Sequence, residues 1–173
     1  METAMPLRPL VALILSVTFA LPVMGQYAPR FEIWPTQDCV VRGLELTERR
    51  NCIGAAAQLC MESSEIGHTT LGMTMCTEQE LAWWDAELNR FYQEARAVER
   101  AEDAEMAGAT GYQSQAEALR EMQRAWITFR DAKCDYERAQ WGGGTGGGPA
   151  WLSCLMYETA EQALYLQVMS VAY

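Results

Sequence analysis

The 173-residue chain holds a single histidine, His68, and that scarcity removes whole classes of chemistry. Acid–base catalysis and nucleophile activation lean on a positioned imidazole or a paired acid and base. His68 stands alone in the polar run ESSEIGHTTLG, and no serine or free thiol is placed beside a base. No catalytic residue is therefore assigned, and the chain is not expected to be an enzyme. Closely paired metal ligands are missing too: the shortest cysteine spacing is the step from Cys52 to Cys60, too wide for a structural zinc knuckle, so no metal or other cofactor is expected. Strand-like alternation of apolar and polar residues is absent, which leaves an all-α chain. Basic residues are few, 13 against 23 acidic, for a net charge of −10. Nucleic acid and anionic membrane surfaces are disfavoured partners on that balance, and a basic protein is favoured.

The stretch MPLRPLVALILSVTFALPVMGQ contains the long apolar run of the chain, Leu10 to about Phe19, behind a lone Arg8. A membrane span needs about 20 apolar residues, and this run is shorter and followed by Pro22. It reads as a secretory signal peptide over residues 1–25, with cleavage after Ala20 as the alternative. The first cysteine is Cys39, too distant to accept a lipid at the cleavage site. The mature chain is expected to be periplasmic or secreted, without membrane insertion. Loss of Glu2 and Arg8 leaves 12 basic against 22 acidic residues, so the net charge stays at −10. All six cysteines lie beyond the leader, and an even count in an exported chain predicts disulfides.

Periodicity predicts the helices. Thr47 followed by Glu48 can cap a helix running to about Glu62, with a weaker segment over Gln37 to Leu46. ESSEIGHTTLG reads as a loop. Thr77 and Glu80 match a capping box, after which Leu81, Trp84, Leu88, Phe91, Ala95 and Val98 recur at steps of three and four along one face of a long helix. A third helix, from about Ser114 to Gln140, carries Leu119, Met122, Trp126, Phe129 and Cys134. GGGTGGGP should break it, each glycine costing about 1 kcal/mol in a helix and Pro149 barring continuation. The last helix takes Trp151, Leu155, Thr159, Ala163 and Leu166. The fold class expected is a small, disulfide-stapled helical bundle with a glycine-rich hairpin loop. Its parts are a cysteine-rich helical extension over residues 26–75 and a main helical domain over 76–173.

Cys134 and Cys154 flank the glycine loop, and an antiparallel hairpin would join them. Cys52 and Cys60, about 12 Å apart on one helix, cannot pair. Two arrangements remain, Cys39–Cys52 with Cys60–Cys76, or Cys39–Cys60 with Cys52–Cys76. Spacing does not choose between them, and the expectation leans to the first.

The stretch WITFRDAKC places Arg130 and Asp131 in an otherwise apolar stripe. Trp126, Arg130 and Cys134 follow at steps of four, so the Arg130 stem can cover the indole while its head meets a carboxylate or carbonyl of a neighbouring helix. Asp131 would face another direction. With no nucleophile or base nearby, the pair reads as scaffolding. Acidic pairs such as Glu80 with Asp85 read as a solvated helix face.

The succession Cys76, then Asp85-Ala86-Glu87-Leu88-Asn89 with Tyr92, then Trp126 running into Arg130-Asp131 and Cys134, a glycine loop, Cys154 and Thr159, resembles the lysozyme inhibitor LprI-like family of exported bacterial proteins. The resemblance covers residues 76–166. Gln162 departs from it, standing where the family often carries arginine, and the segment from Cys39 to Cys76 is longer and richer in cysteine than the family's usual N-terminal part. The resemblance implies a helical domain able to inhibit lysozyme, a basic muramidase, and the charge of −10 would steer the encounter. The runner-up reading is an envelope structural or interaction module for an unknown protein or cell-wall component. Candidate contacts are the loop from Trp141 through Gly144, Thr145 and Gly146 to Trp151, the acidic face from Glu78 to Glu94, and Trp83, which lies about 100° off the stripe of Trp84. The plainer expectation buries Trp141 and Trp151 in the bundle, because tryptophan hides so much apolar area.

Overall fold

The stripe of Trp84, Leu88, Phe91 and Ala95 is buried, as its period requires, on a helix that reaches further back than the pattern indicated. The structure, a computed structural model, describes residues 28–171; the leader expected over residues 1–25 lies outside the described residues. Six helices are present and no strand among those residues: α1 (Trp34–Arg42), α2 (Leu46–Arg50), α3 (Ala55–Glu62), α4 (Thr70–Glu105), α5 (Gln115–Ala139) and α6 (Gly147–Val171). The molecule is the all-helical bundle expected.

Helix α4 starts at Thr70, so the polar run before it is a short turn rather than a loop reaching Gly72. Thr69 is the N-cap and accepts from the Gly72 amide at 3.2 Å. The turn is tight because it is built on glycine: a Cβ on Gly72 would fall 2.1 Å from the Ile66 carbonyl oxygen. Thr77 and Glu80 are therefore not a capping box. Both are buried in the interior of α4, on the same stripe as Trp84, which lies one helical turn on from Glu80.

Glu80 is 0% exposed and joins the N-terminal helices to α4. Its Oε1 accepts from the Thr36 hydroxyl (2.9 Å), the Gly54 amide (2.8 Å) and the Trp84 indole (3.1 Å), and its Oε2 accepts from the Ala57 amide at 2.7 Å. Gly54 is the N-cap of α3 and has no capping side chain of its own. The carboxylate thus supplies α3 with the acceptors that its first turn lacks. Thr36, itself buried, accepts in turn from the Ala56 amide at 3.0 Å. Glu80 is no part of a solvated face; Asp85, paired with it in the sequence reading, is exposed.

The helix expected from Thr47 to Glu62 is two helices. Glu45, not Thr47, caps α2, in a capping box with Glu48. The chain then turns through Gly54, whose φ of +91° favours glycine. Cys52 lies in that turn, so it and Cys60 do not share a helix. The disulfides are Cys39–Cys52, Cys60–Cys76 and Cys134–Cys154. The first two tie α1 to the turn and α3 to α4.

Helices α4 and α6 form the centre. Ala160 and Ala163 of α6 are fully buried and let the two axes approach closely, while Met156 and Leu164 join Trp84, Leu88 and Phe91 in the core. Helix α6 begins at Gly147, four residues before the expected start. Pro149 does not stop it, because a proline in the first turn gives up only an amide that has no intrahelical partner.

Candidate functional site

Helix α5 begins and ends close to the expected bounds. Ser114, its N-cap, accepts from the Glu117 amide at 3.1 Å, and Gln140 ends it. Asp103 of α4 reinforces that start. Hydrogen bonds from the hydroxyls of Ser114 and Tyr112 and the amides of Gln115 and Ala116 hold its carboxyl at about 2, below the ordinary 3.8, against partial desolvation.

The stripe of α5 that meets α6 is polar for a helix interface. Gln162 donates to Gln123 at 3.0 Å, both side chains being buried. Lys133 bonds Glu158 at 2.6 Å, which holds the ammonium above its ordinary value despite desolvation. The Arg130 guanidinium stands 5.0 Å over the Trp126 ring, and its Nη1 lies 3.4 Å from the Thr159 hydroxyl. Trp126 is partly buried against the core. Asp131 does not face elsewhere: it accepts from Arg130 Nε at 2.9 Å and Nη2 at 2.7 Å. The long arginine stem spans the roughly 100° between neighbouring helical positions, so the carboxylate comes from the next residue and the neighbouring helix supplies a hydroxyl. Three polar contacts and the Cys134–Cys154 disulfide, with a Cα separation of 5.4 Å, thus fix one register between α5 and α6. Phe129 departs from the expectation for this helix. Its period sets it on the apolar face with Trp126, yet it is 60% exposed.

Above the disulfide the chain turns from Trp141 to Gly146. Gly142 and Gly143 have φ of +54° and +85°, and the Gly144 amide closes on the Trp141 carbonyl at 2.8 Å. The Trp141 ring folds back over Gly146, where a Cβ would fall 2.2 Å from the ring atom Cζ3. Trp141 is nevertheless 53% exposed, and Gly144 and Thr145 stand beside it in solvent. The expectation that Trp141 and Trp151 are buried in the bundle fails: Trp141 sits at the tip, and Trp151, on the first turns of α6, is half-buried. A groove of about 390 Å³ runs under the tip, lined by Asp135, Arg138, Gly143 and Gly147 among others.

The remaining motif residues lie on α4. Leu88 is in the core, Asn89 donates to Asp85 at the surface (3.2 Å to Oδ2), and Tyr92 is half-buried with the Arg96 guanidinium 5.6 Å from its ring. Trp83 packs edge-on to Trp84, with ring centroids 4.5 Å apart, and lines a groove of about 350 Å³ with Val41, Leu164 and Gln167. Leu164 is 17 residues along α6 from Gly147, about 25 Å at the helical rise. The groove at Trp83 and the hairpin tip are therefore separate surfaces. Among the described residues no group of three or more histidine, cysteine or acidic side chains could hold a metal ion. Sequence reading missed Glu80 as an organising residue, although the signal was present: four residues before Trp84, it continues the apolar stripe backwards.

The sequence profile of the lysozyme inhibitor LprI family matches residues 60–166. The chain belongs to this family. The LprI match begins at Cys60, so it includes the Cys60–Cys76 disulfide as well as the α5–α6 hairpin. An uncharacterized protein of Rhizobium meliloti is 34% identical over 98 residues, covering 56% of this chain and 70% of its own length. An uncharacterized 17.7 kDa protein in the puhA 5' region of Rhodobacter capsulatus is 25% identical over 136 residues, covering 76% of this chain and 82% of its own. No solved structure matches the chain. The LprI family is one of inhibitor proteins rather than enzymes. Family and disulfides together indicate an extracytoplasmic protein. Among the described residues no helix is long and apolar enough to cross a membrane.

Proposed function

We propose that this protein is a lysozyme inhibitor exported to the periplasm or beyond after loss of residues 1–25, and that it blocks the enzyme with the hairpin tip at Trp141. The observation that carries the reading is an exposed tryptophan on a turn held between two helices that a disulfide and three polar contacts lock in register. An inhibitor of a cleft needs an element that protrudes, presents apolar area and loses little entropy on binding. Trp141 meets the first two needs, and the ring's seat on Gly146 with the Cys134–Cys154 staple meets the third. Charge supplies the encounter: the chain's −10 attracts a basic muramidase over long range. On this reading residues 76–173 form the inhibitory domain, and residues 26–75 are a cysteine-rich clamp on the first half of α4.

The test is titration of hen lysozyme with wild type and Trp141→Ala. Loss of an interface anchor of this kind costs about 2 kcal/mol or more, roughly 30-fold in affinity. Inhibition by Trp141→Ala equal to wild type would remove the tip from the mechanism.

A further inference from the structure

The exposed Phe129 is one member of a second stripe on α5. Ala118, Met122, Ala125, Phe129, Ala132 and Tyr136 recur at alternating steps of four and three, about a third of a turn from the stripe that meets α6. All but Met122 are exposed, Phe129 by 60% and Tyr136 by 67%. The 3.5-residue repeat is that of a helix–helix seam, with large side chains at one position and alanine at the other. At Met122 the seam opens into a groove of about 300 Å³ lined by Ala95, Ala118, Leu119, Tyr165 and Met169.

The charge on α5 says what covers this seam. Between Gln115 and Ala139 the sequence has five basic and five acidic residues, a net of zero within a chain of net −10. A basic partner would be drawn to the acid-rich remainder of the surface, whereas a second copy of this chain meets least repulsion along α5. Two-fold symmetry adds a geometric condition: the residue that protrudes must find its receptor on the same surface. Phe129 and the groove at Met122 meet it, since antiparallel α5 helices crossing near Ala125 and Trp126 bring Phe129 of each copy to Met122 of the other.

We propose that this protein forms a two-fold dimer through antiparallel α5 helices, each Phe129 seated in the other copy's Met122 groove. The seam runs 18 helical steps from Ala118 to Tyr136, about 27 Å of helix, long enough for an interface at the lower end of those that hold stable dimers. Sedimentation velocity of the oxidised protein from about 1 to 300 µM tests it, with a midpoint expected in the micromolar range for an interface of that size. The sedimenting mass should rise from one chain to two, and Phe129→Glu and Ala125→Glu should each weaken association at least tenfold while retaining the wild-type circular dichroism. Val41→Glu, exposed elsewhere, should leave it unchanged. A monomer throughout, or a Phe129→Glu protein that dimerises as wild type does, would overturn the proposal. So would a monomeric wild type whose lysozyme inhibition is lost on Phe129→Glu, because the seam would then belong to the enzyme.

Discussion

Glu80 shows how one side chain can be both a charge and a core residue. Water is replaced around its carboxylate by four donors, two of them amides at the start of α3, so the burial is compensated without a cation. Glu80→Gln turns one acceptor into a donor that faces donors, and should cost about 1–3 kcal/mol. Glu80→Ala also leaves a cavity and should cost about 3 kcal/mol or more, read by chemical denaturation. Near-wild-type stability of both variants would show that the network is dispensable. Asp103 gives a prediction in pH. Its carboxyl lies at about 2 in the folded chain against an ordinary 3.8, so its contribution is fully present above about pH 4 and fades as pH falls through about 2. The difference in melting temperature between wild type and Asp103→Asn should therefore close between pH 4 and 2. A constant difference would assign the effect of the substitution to something other than this ionisation. The motif Thr77-Glu78-Gln79-Glu80 misled because a helix start and a buried polar stripe share the same spacing. Only the continuation of the stripe at Trp84 distinguishes them.

Among the elements, the α5–α6 hairpin was largely legible. Its limits near Ser114 and Gln140, the Cys134–Cys154 staple and the stacking of Arg130 on Trp126 were all readable from the sequence. What spacing could not give is where α6 begins, because glycine content argues against helix while Pro149 in a first turn argues for it. Nor could it give the exposure of Phe129, which lies within the breadth of an apolar face yet has no neighbour to cover it. Replacing both Cys134 and Cys154 by alanine should lower stability by about 3 kcal/mol, the entropic worth of closing a loop with a sequence separation of 20. The same variant should weaken inhibition further by loosening the tip. Gly146→Ala probes the tip alone. The added methyl would collide with the Trp141 ring, so inhibition should fall while the melting temperature holds within a few degrees. Full inhibition by Gly146→Ala would show that the ring's seat is irrelevant.

At the scale of the molecule, an acidic surface, three disulfides and a helical core describe a protein built for an oxidising compartment. The sequence disclosed its charge, its even cysteine count and its helical class, because each is carried by composition or period. The clamp of α1 and α3 onto α4 was not readable, since it depends on Thr36, Gly54 and Glu80 meeting across 44 residues of chain. Steering by the net charge of −10 predicts that association with a basic lysozyme slows as salt rises, because the screening length shrinks from about 30 Å at 0.01 M to about 10 Å at 0.1 M. The most direct measurement is hen lysozyme turnover on bacterial cell walls, with the oxidised protein titrated in at those two salt concentrations. The account predicts stoichiometric inhibition that weakens at the higher salt; undiminished turnover at both, with the helical fold intact by circular dichroism, would contradict it.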